Sequence, residues 1–260
     1  MKEKPYSSAA GDSVGQQALW DDYWKSGTAV YTAHDEIVTR IEKYSAPGAI
    51  VMEIGAGLGV DILKISNRGR RAVAVDISKI ALRQMRARHA DCDGELHLVA
   101  ADAMRLPFKS GAVDLAFHQG VMEHFRDTGP FLEEQRRILK SGGILIADVP
   151  QAFTWYTLRK RCAIRRGTWF AGWETQYSPG ALRRLLTAAG FNVTEIYGRD
   201  YDVPLLRYIS RIEKIGLNRY GRPIVPWIVR RPIGWACRRF ENTKLSRYVR
   251  QCIGAVAVKR

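Results

Sequence analysis

The chain has 260 residues, 46% hydrophobic and 26% charged, enough for one large α/β core, and no run is apolar for long enough to span a membrane. Its formal net charge of +15 is uneven: residues 1–150 carry 19 Lys+Arg against 20 Asp+Glu, whereas residues 151–260 carry 22 against 6 and hold five of the seven tryptophans. The amino end lacks a signal-like apolar run, and Cys92, Cys162, Cys237 and Cys252 show neither a C-x-x-C pair nor histidine at metal spacing, so we expect a cytoplasmic chain with reduced thiols and no metal.

Residues 1–15 are small and polar, broken by Pro5, Gly11 and Gly15, and are expected to form a disordered tail ahead of a single domain over 16–260. Gln16 to Lys25 places Trp20, Tyr23 and Trp24 at helical spacing, and His34 to Tyr44 puts Ile37, Val38 and Ile41 on one helical face, stopped by Pro47-Gly48. Ala49 to Ile54 reads as the first strand. It runs into Gly55-Ala56-Gly57-Leu58-Gly59, after which helical spacing resumes through Asp61 to Ile65. The second strand, Arg71 to Asp76, precedes a helix from Lys79 to His89 with Ser78 as its cap. A third strand, Glu95 to Ala100, ends at Asp102, and a fourth runs from Val113 to His118. Pro130 opens the next helix, Gly142-Gly143 is expected to stop it, and Ile144 to Val149 is the fifth strand. Regular alternation of this kind predicts a doubly wound parallel sheet with ligands at the carboxyl ends of its strands.

The glycine stretch is built for a ligand, since glycine permits positive φ and close approach to the main chain. It is G-x-G-x-G, with Val60 where the dinucleotide fingerprint wants its third glycine, and no Gly-Lys-Ser/Thr follows to make a P-loop. Asp76, about 20 residues further on at a strand end, is placed to accept both hydroxyls of a ribose.

Val51 to Gly59, Ala74 to Ser78, Ala101-Asp102-Ala103 with Leu106-Pro107-Phe108, and Asp114 to His124 resemble, in order and spacing, the four motifs of the class I S-adenosylmethionine-dependent methyltransferases, type 11 group, which includes ubiquinone and menaquinone biosynthesis enzymes. The resemblance covers about Ala49 to Val149, with Ser178 to Ile196 similar to the helix and sixth strand that follow. It implies a Rossmann-like seven-stranded α/β sheet with an antiparallel last strand, here expected over Ile253 to Val258. It also implies S-adenosyl-L-methionine as cofactor. Gly55, Gly57 and Gly59 would admit its methionyl and ribose parts, with Glu53 near the amino-acid end, Asp76 on the ribose and Ile77 against the adenine. Asp102 and the Ala103 amide would read the adenine amino edge, and His118 and Gln119 would border the methyl and sulfonium. Where the acceptor must lose a proton, His118 or His124 is the candidate base. The Asn/Asp-Pro-Pro-aromatic sequence of base-amino methylating members is absent from the fourth motif.

Two segments exceed the ordinary fold and are expected to act as lids: residues 151–177, where Trp and Phe interleave with Arg159, Lys160, Arg161, Arg165 and Arg166, and residues 200–251, with a Pro-broken apolar run and further Arg pairs. Arg and aromatics together suit a small-molecule or lipid-linked acceptor, an anionic one included, and peripheral contact with a membrane surface. RNA is the competing partner, and with it an RNA methyltransferase. A non-enzymatic binding module is the third reading.

Overall fold

The computed structural model describes residues 13–26, 34–89, 93–169, 171, 173–201 and 250–260. Two helices precede the sheet, α1 (Ser13–Lys25) and α2 (Asp35–Tyr44). Strands and helices then alternate: β1 (Ile50–Ile54), α3 (Val60–Ser66), β2 (Arg71–Asp76), α4 (Lys79–Arg88), β3 (Leu96–Ala100) and β4 (Val113–Gln119). A short 3₁₀ turn (Met122–His124) leads to α5 (Gly129–Ile138), β5 (Leu139–Pro150), α6 (Trp155–Arg165), α7 (Pro179–Ala188), β6 (Phe191–Tyr201) and β7 (Arg250–Lys259).

The seven strands lie in the order β3-β2-β1-β4-β5-β7-β6. The first five are mutually parallel, and β7 is inserted antiparallel between β5 and β6, with Ala147 opposite Ala255 and Tyr197 opposite Gly254. This is the expected Rossmann-like sheet with its antiparallel last strand, which begins earlier than the apolar pattern marked. Because side chains alternate along a strand, each buried strand feeds two layers. Val51, Ala72, Leu115 and Phe117 pack with Ile37, Ile41, Ile62 and Met85 of α2, α3 and α4. Met52, Val73 and Ala116 pack on the other side with Phe131, Leu132, Leu182 and Leu186 of α5 and α7.

Several boundaries differ from the sequence reading. Helix α1 begins at Ser13, inside the stretch expected as a tail, while residues 1–12 lie outside the described residues. The Gly142-Gly143 pair does not stop α5. That helix ends at Ile138, and the glycines fall within β5, where the β4–β5 register shifts between Val113 and Leu115 and Gly142 takes φ +72°. Of the segment 200–251, Asp200 and Tyr201 extend β6, Arg250 and Gln251 open β7, and residues 202–249 lie outside the described residues. No described helix is long and apolar enough to cross a membrane.

Candidate active site

The carboxyl ends of β1, β2 and β4 enclose a cavity of about 320 Å³, within the range of small-molecule sites. Its rim starts at the β1–α3 turn, where Gly55, Gly57 and Gly59 take φ +67°, +53° and +67°. A Cβ on Gly55 would collide with Val121, and one on Gly57 would stand 2.6 Å from the Trp24 ring, so only glycine lets the turn run under both side chains. The turn is tied to β2 by two amides: Ala56 N–H donates to the Val75 carbonyl at 3.0 Å and Gly57 N–H to Asp76 Oδ2 at 2.8 Å.

Asp76 is buried, and its Oδ1 accepts from Ser78 N–H at 2.8 Å. Burial pushes its carboxyl up to about 6 even though these amide bonds pull the other way. Ser78 caps α4 by accepting from Ala81 N–H at 3.2 Å and donates its hydroxyl to Asp21 of α1. One polar chain thus links the ribose-type carboxylate to the covering helix. Ile77, Asp102 and Ala103 line the same cavity, and Asp102 Oδ1 accepts from Met104 N–H at 2.9 Å to shape the β3 exit.

A second cavity of about 380 Å³ adjoins the first and shares Trp20, Gly55, Gln119, Gly120 and His124 with it. Glu53 on β1 faces this one. It is buried, its Oε2 lacks a partner, and burial together with the nearby Asp61 carboxylate holds it well above the ordinary glutamate range. Asp61 is itself raised by burial, but bonds from the His34 backbone N–H (2.7 Å), the His34 ring (3.0 Å) and Gln119 Nε2 (2.8 Å) outweigh that and leave it lowered. Gln119 Oε1 has no partner.

The far wall comes from the segment after β5. Thr154 caps α6, accepting from Thr157 N–H at 3.1 Å. From that helix the buried Lys160 pairs with Glu174, whose Oε1 also accepts from Trp169 Nε1 at 2.6 Å. The Lys160 ammonium stands 5.5 Å from the ring centroids of both Tyr156 and Trp169. On the sheet side the buried Asp148 carboxylate meets Arg199 at 2.9 Å and the Tyr197 hydroxyl.

The predicted site residues separate by this geometry. Gly55, Asp76, Ile77, Asp102, Ala103 and Gln119 line the first cavity, Glu53 the second, and Gly57 and Gly59 shape the turn beneath. Of the two histidines, His124 lines both cavities, edge-on to Trp20 at 5.0 Å, its Nδ1 3.4 Å from the Trp173 carbonyl and its pKa lowered by burial. His118 lines neither. Strand alternation sends it into the α5 layer, edge-on to Phe131 at 5.2 Å, with both ring nitrogens unpartnered and burial pushing it down to about 3. Glu123, inside the fourth motif, lines the second cavity beside His124 with no sequence signal of that position, and the same holds for Asp61 in the second cavity and for Met104 and Arg126 in the first.

The residues fit an adenosyl sulfonium. Buried carboxylates line the cavities as acceptors of the kind that ribose hydroxyls and an ammonium group need, and orphaned buried oxygens, Glu53 Oε2 and Gln119 Oε1 among them, await donors. Among the described residues no lysine lines the first cavity and the one arginine there, Arg126, lies over the Trp173 ring, so a polyphosphate is poorly served.

Residues 52–147 match the family model described as a methyltransferase domain. A protein of Mycolicibacterium smegmatis named a probable S-adenosylmethionine-dependent methyltransferase is 26% identical over 179 residues, 68% of this chain and 63% of that protein. The demethylmenaquinone methyltransferase of Corynebacterium kroppenstedtii is 34% identical over 107 residues, 41% of this chain and 44% of that protein. The chain therefore spans less than two thirds of the length of the curated relatives it matches. Among solved structures, the chain bound to the Trm112 methyltransferase activator of Haloferax volcanii superposes with a TM-score of 0.60 at 18% identity, covering 99% of both chains, a likeness of fold. Four motifs in register, the sheet order and these matches make residues 52–147 a class I S-adenosylmethionine-dependent methyltransferase domain of the type 11 group.

Proposed function

We propose that this chain transfers the methyl group of S-adenosylmethionine to a small-molecule or lipid-linked acceptor that enters the second cavity. The observation that carries this reading is the pair of cavities meeting at Gly55, Gln119, Gly120 and His124, one with carboxylates suited to an adenosine, the other opening between β5, β7 and α6. When bound, the cofactor supplies a methyl already activated for displacement. The work left to the chain is alignment and exclusion of water. Asp76 and Asp102 hold the nucleoside end, Glu53 and Gln119 accept from the amino-acid end, and Trp20 and Trp24 of α1 cover the junction. His124 borders the site of transfer.

The exterior of α6 supports delivery of the acceptor from an anionic surface. Arg159, Arg161, Arg165 and Arg166 are exposed, and so are Phe153 (67%), Leu158 (50%) and Trp173 (44%), a mixture that suits lipid headgroups. The same basic excess keeps RNA as the second reading, since 27% identity over 183 residues links the chain to the tRNA U34 carboxymethyltransferase of Pseudoalteromonas translucida. The experiment is a titration with S-adenosylhomocysteine, followed by transfer of tritiated methyl into an extract of the source cells fractionated into lipid, RNA and small molecules. Label in lipid or small molecules is expected. Label confined to RNA would replace the first reading by the second, and no label with cofactor bound would overturn both.

A further inference from the structure

We propose that the acceptor is an amine and that Glu123 is the catalytic residue that binds it, taking the nitrogen's proton on Oε2 before methyl transfer; this rests on the function proposed above. Charge in the second cavity is largely paired. Among its described lining residues, Lys160 is matched by Glu174, Arg199 by Asp148, and His34 by Asp61. Two carboxyl groups are left over, Glu53 and Glu123. Each is buried and each has an Oε2 without a hydrogen-bond partner. Glu53 lies on β1 behind the glycine turn, on the cofactor's side of the junction, whereas Glu123 follows β4 in the 3₁₀ turn and its main-chain carbonyl accepts from Thr175 N–H at 2.9 Å, on the α6 side.

A buried oxygen with no donor costs free energy until a ligand brings one. An ammonium group brings both the donor and the compensating charge. An anionic acceptor would add charge to a wall whose described cations are already engaged. Tyr23 lines the same space beside Tyr156 and Trp169, which already face the Lys160 ammonium, an aromatic wall of the kind that attracts cations. Burial pushes the Glu123 carboxyl up to about 8, helped by the Glu174 and Asp148 carboxylates and opposed by Lys160, with Tyr177 and His124 the other titratable neighbours. A carboxyl in that range gives up and regains a proton near neutral pH, as a base for an alkylammonium must. The proton passes from nitrogen to Oε2, the freed lone pair forms the N–C bond as the S–C bond breaks, and the sulfur keeps that electron pair as a neutral thioether.

The test uses the full chain, tritiated S-adenosylmethionine and extract of the source cells. The wild-type product should be retained on a cation exchanger at pH 7 and survive mild base that cleaves methyl esters. The Glu123→Gln variant should bind S-adenosylhomocysteine within about threefold of wild type and lose at least about 100-fold in transfer. The wild-type rate should rise with pH and level near 8, a dependence missing from the residual rate of the variant. A labelled product that is neutral or anionic overturns the amine while leaving the methyltransferase reading intact. Transfer by Glu123→Gln within tenfold of wild type, or a parallel loss of S-adenosylhomocysteine binding, overturns the role of Glu123. Should the variant not fold, the charge of the wild-type product still decides the acceptor class. Absence of any labelled product with cofactor bound is instead the failure of the proposed function.

Discussion

Replacing Asp76 by alanine should separate cofactor binding from stability. In the folded chain its two oxygens accept from Gly57 and Ser78 amides, both at 2.8 Å, and lone pairs remain for two ribose hydroxyls. A hydrogen bond to a charged group contributes about 1.5–3 kcal/mol, so losing two weakens S-adenosylhomocysteine by at least about 3 kcal/mol, or over 100-fold in Kd. Stability should respond differently. A rise from 3.8 to about 6 means that holding Asp76 ionised costs the folded state about 3 kcal/mol at neutral pH. Alanine removes that cost but orphans two buried amides at about 1–3 kcal/mol each, and the terms nearly offset. The pH dependences have opposite signs. Because the folded pKa is raised, the folded state binds more protons between 3.8 and 6, so apoprotein stability falls as pH rises through that window. Ribose binding needs the carboxylate, so S-adenosylhomocysteine affinity falls as pH drops below about 6. Calorimetric titration at pH 7.5 and 5.5, with thermal melts of both proteins, measures all of this. Binding by Asp76→Ala within fivefold of wild type would refute the assignment of Asp76 to the ribose.

Gly57→Ala should destabilise by about 2–4 kcal/mol, from the left-handed φ of +53° and from a methyl 2.6 Å from Trp24, and Trp24→Ala added to it should recover only the steric part in urea denaturation. Lys160→Met leaves the Glu174 charge buried without its cation and should cost about 3–5 kcal/mol, while Lys160→Met with Glu174→Gln should regain at least half of that in the same assay. Trp20→Ala, at the wall common to both cavities, should weaken S-adenosylhomocysteine about tenfold in calorimetry with little change in melting temperature.

The nucleotide half was legible because local rules and the global fold agree there. Arg71–Asp76 is apolar and bounded by turn residues, and Ser78 caps α4 as its side chain and position require. The wall of the second cavity was not. Helix α6 carries no clean apolar stripe, since it buries Lys160 through a partner fourteen positions away that no periodicity marks. His118 and Glu123 show the same limit. A histidine at a strand exit reads as functional, but a two-residue period sent Gln119 to the cavity and His118 to the core, whereas nothing local marks Glu123, whose orphaned oxygen exists only in the folded chain. Net charge does not report on the pocket for a related reason. The exposed arginines of α6 lie on the exterior, while the inner wall is rich in carboxylates.

Tyr201 and Arg250 face one another across the β6–β7 ladder, so the chain leaves the sheet and rejoins it at adjacent rungs. An insertion whose two stems are already clasped adds little closure entropy whatever its length, since that cost grows only with the logarithm of the loop. The β6–β7 ladder therefore closes at Tyr201 and Arg250 at nearly the same entropic cost whatever the number of residues between them. The stems are also the stretch where Arg199, Gln251 and Cys252 form part of the wall of the second cavity. Substitutions at those three positions reshape the second cavity while Asp76, which lines only the first, keeps its own contacts.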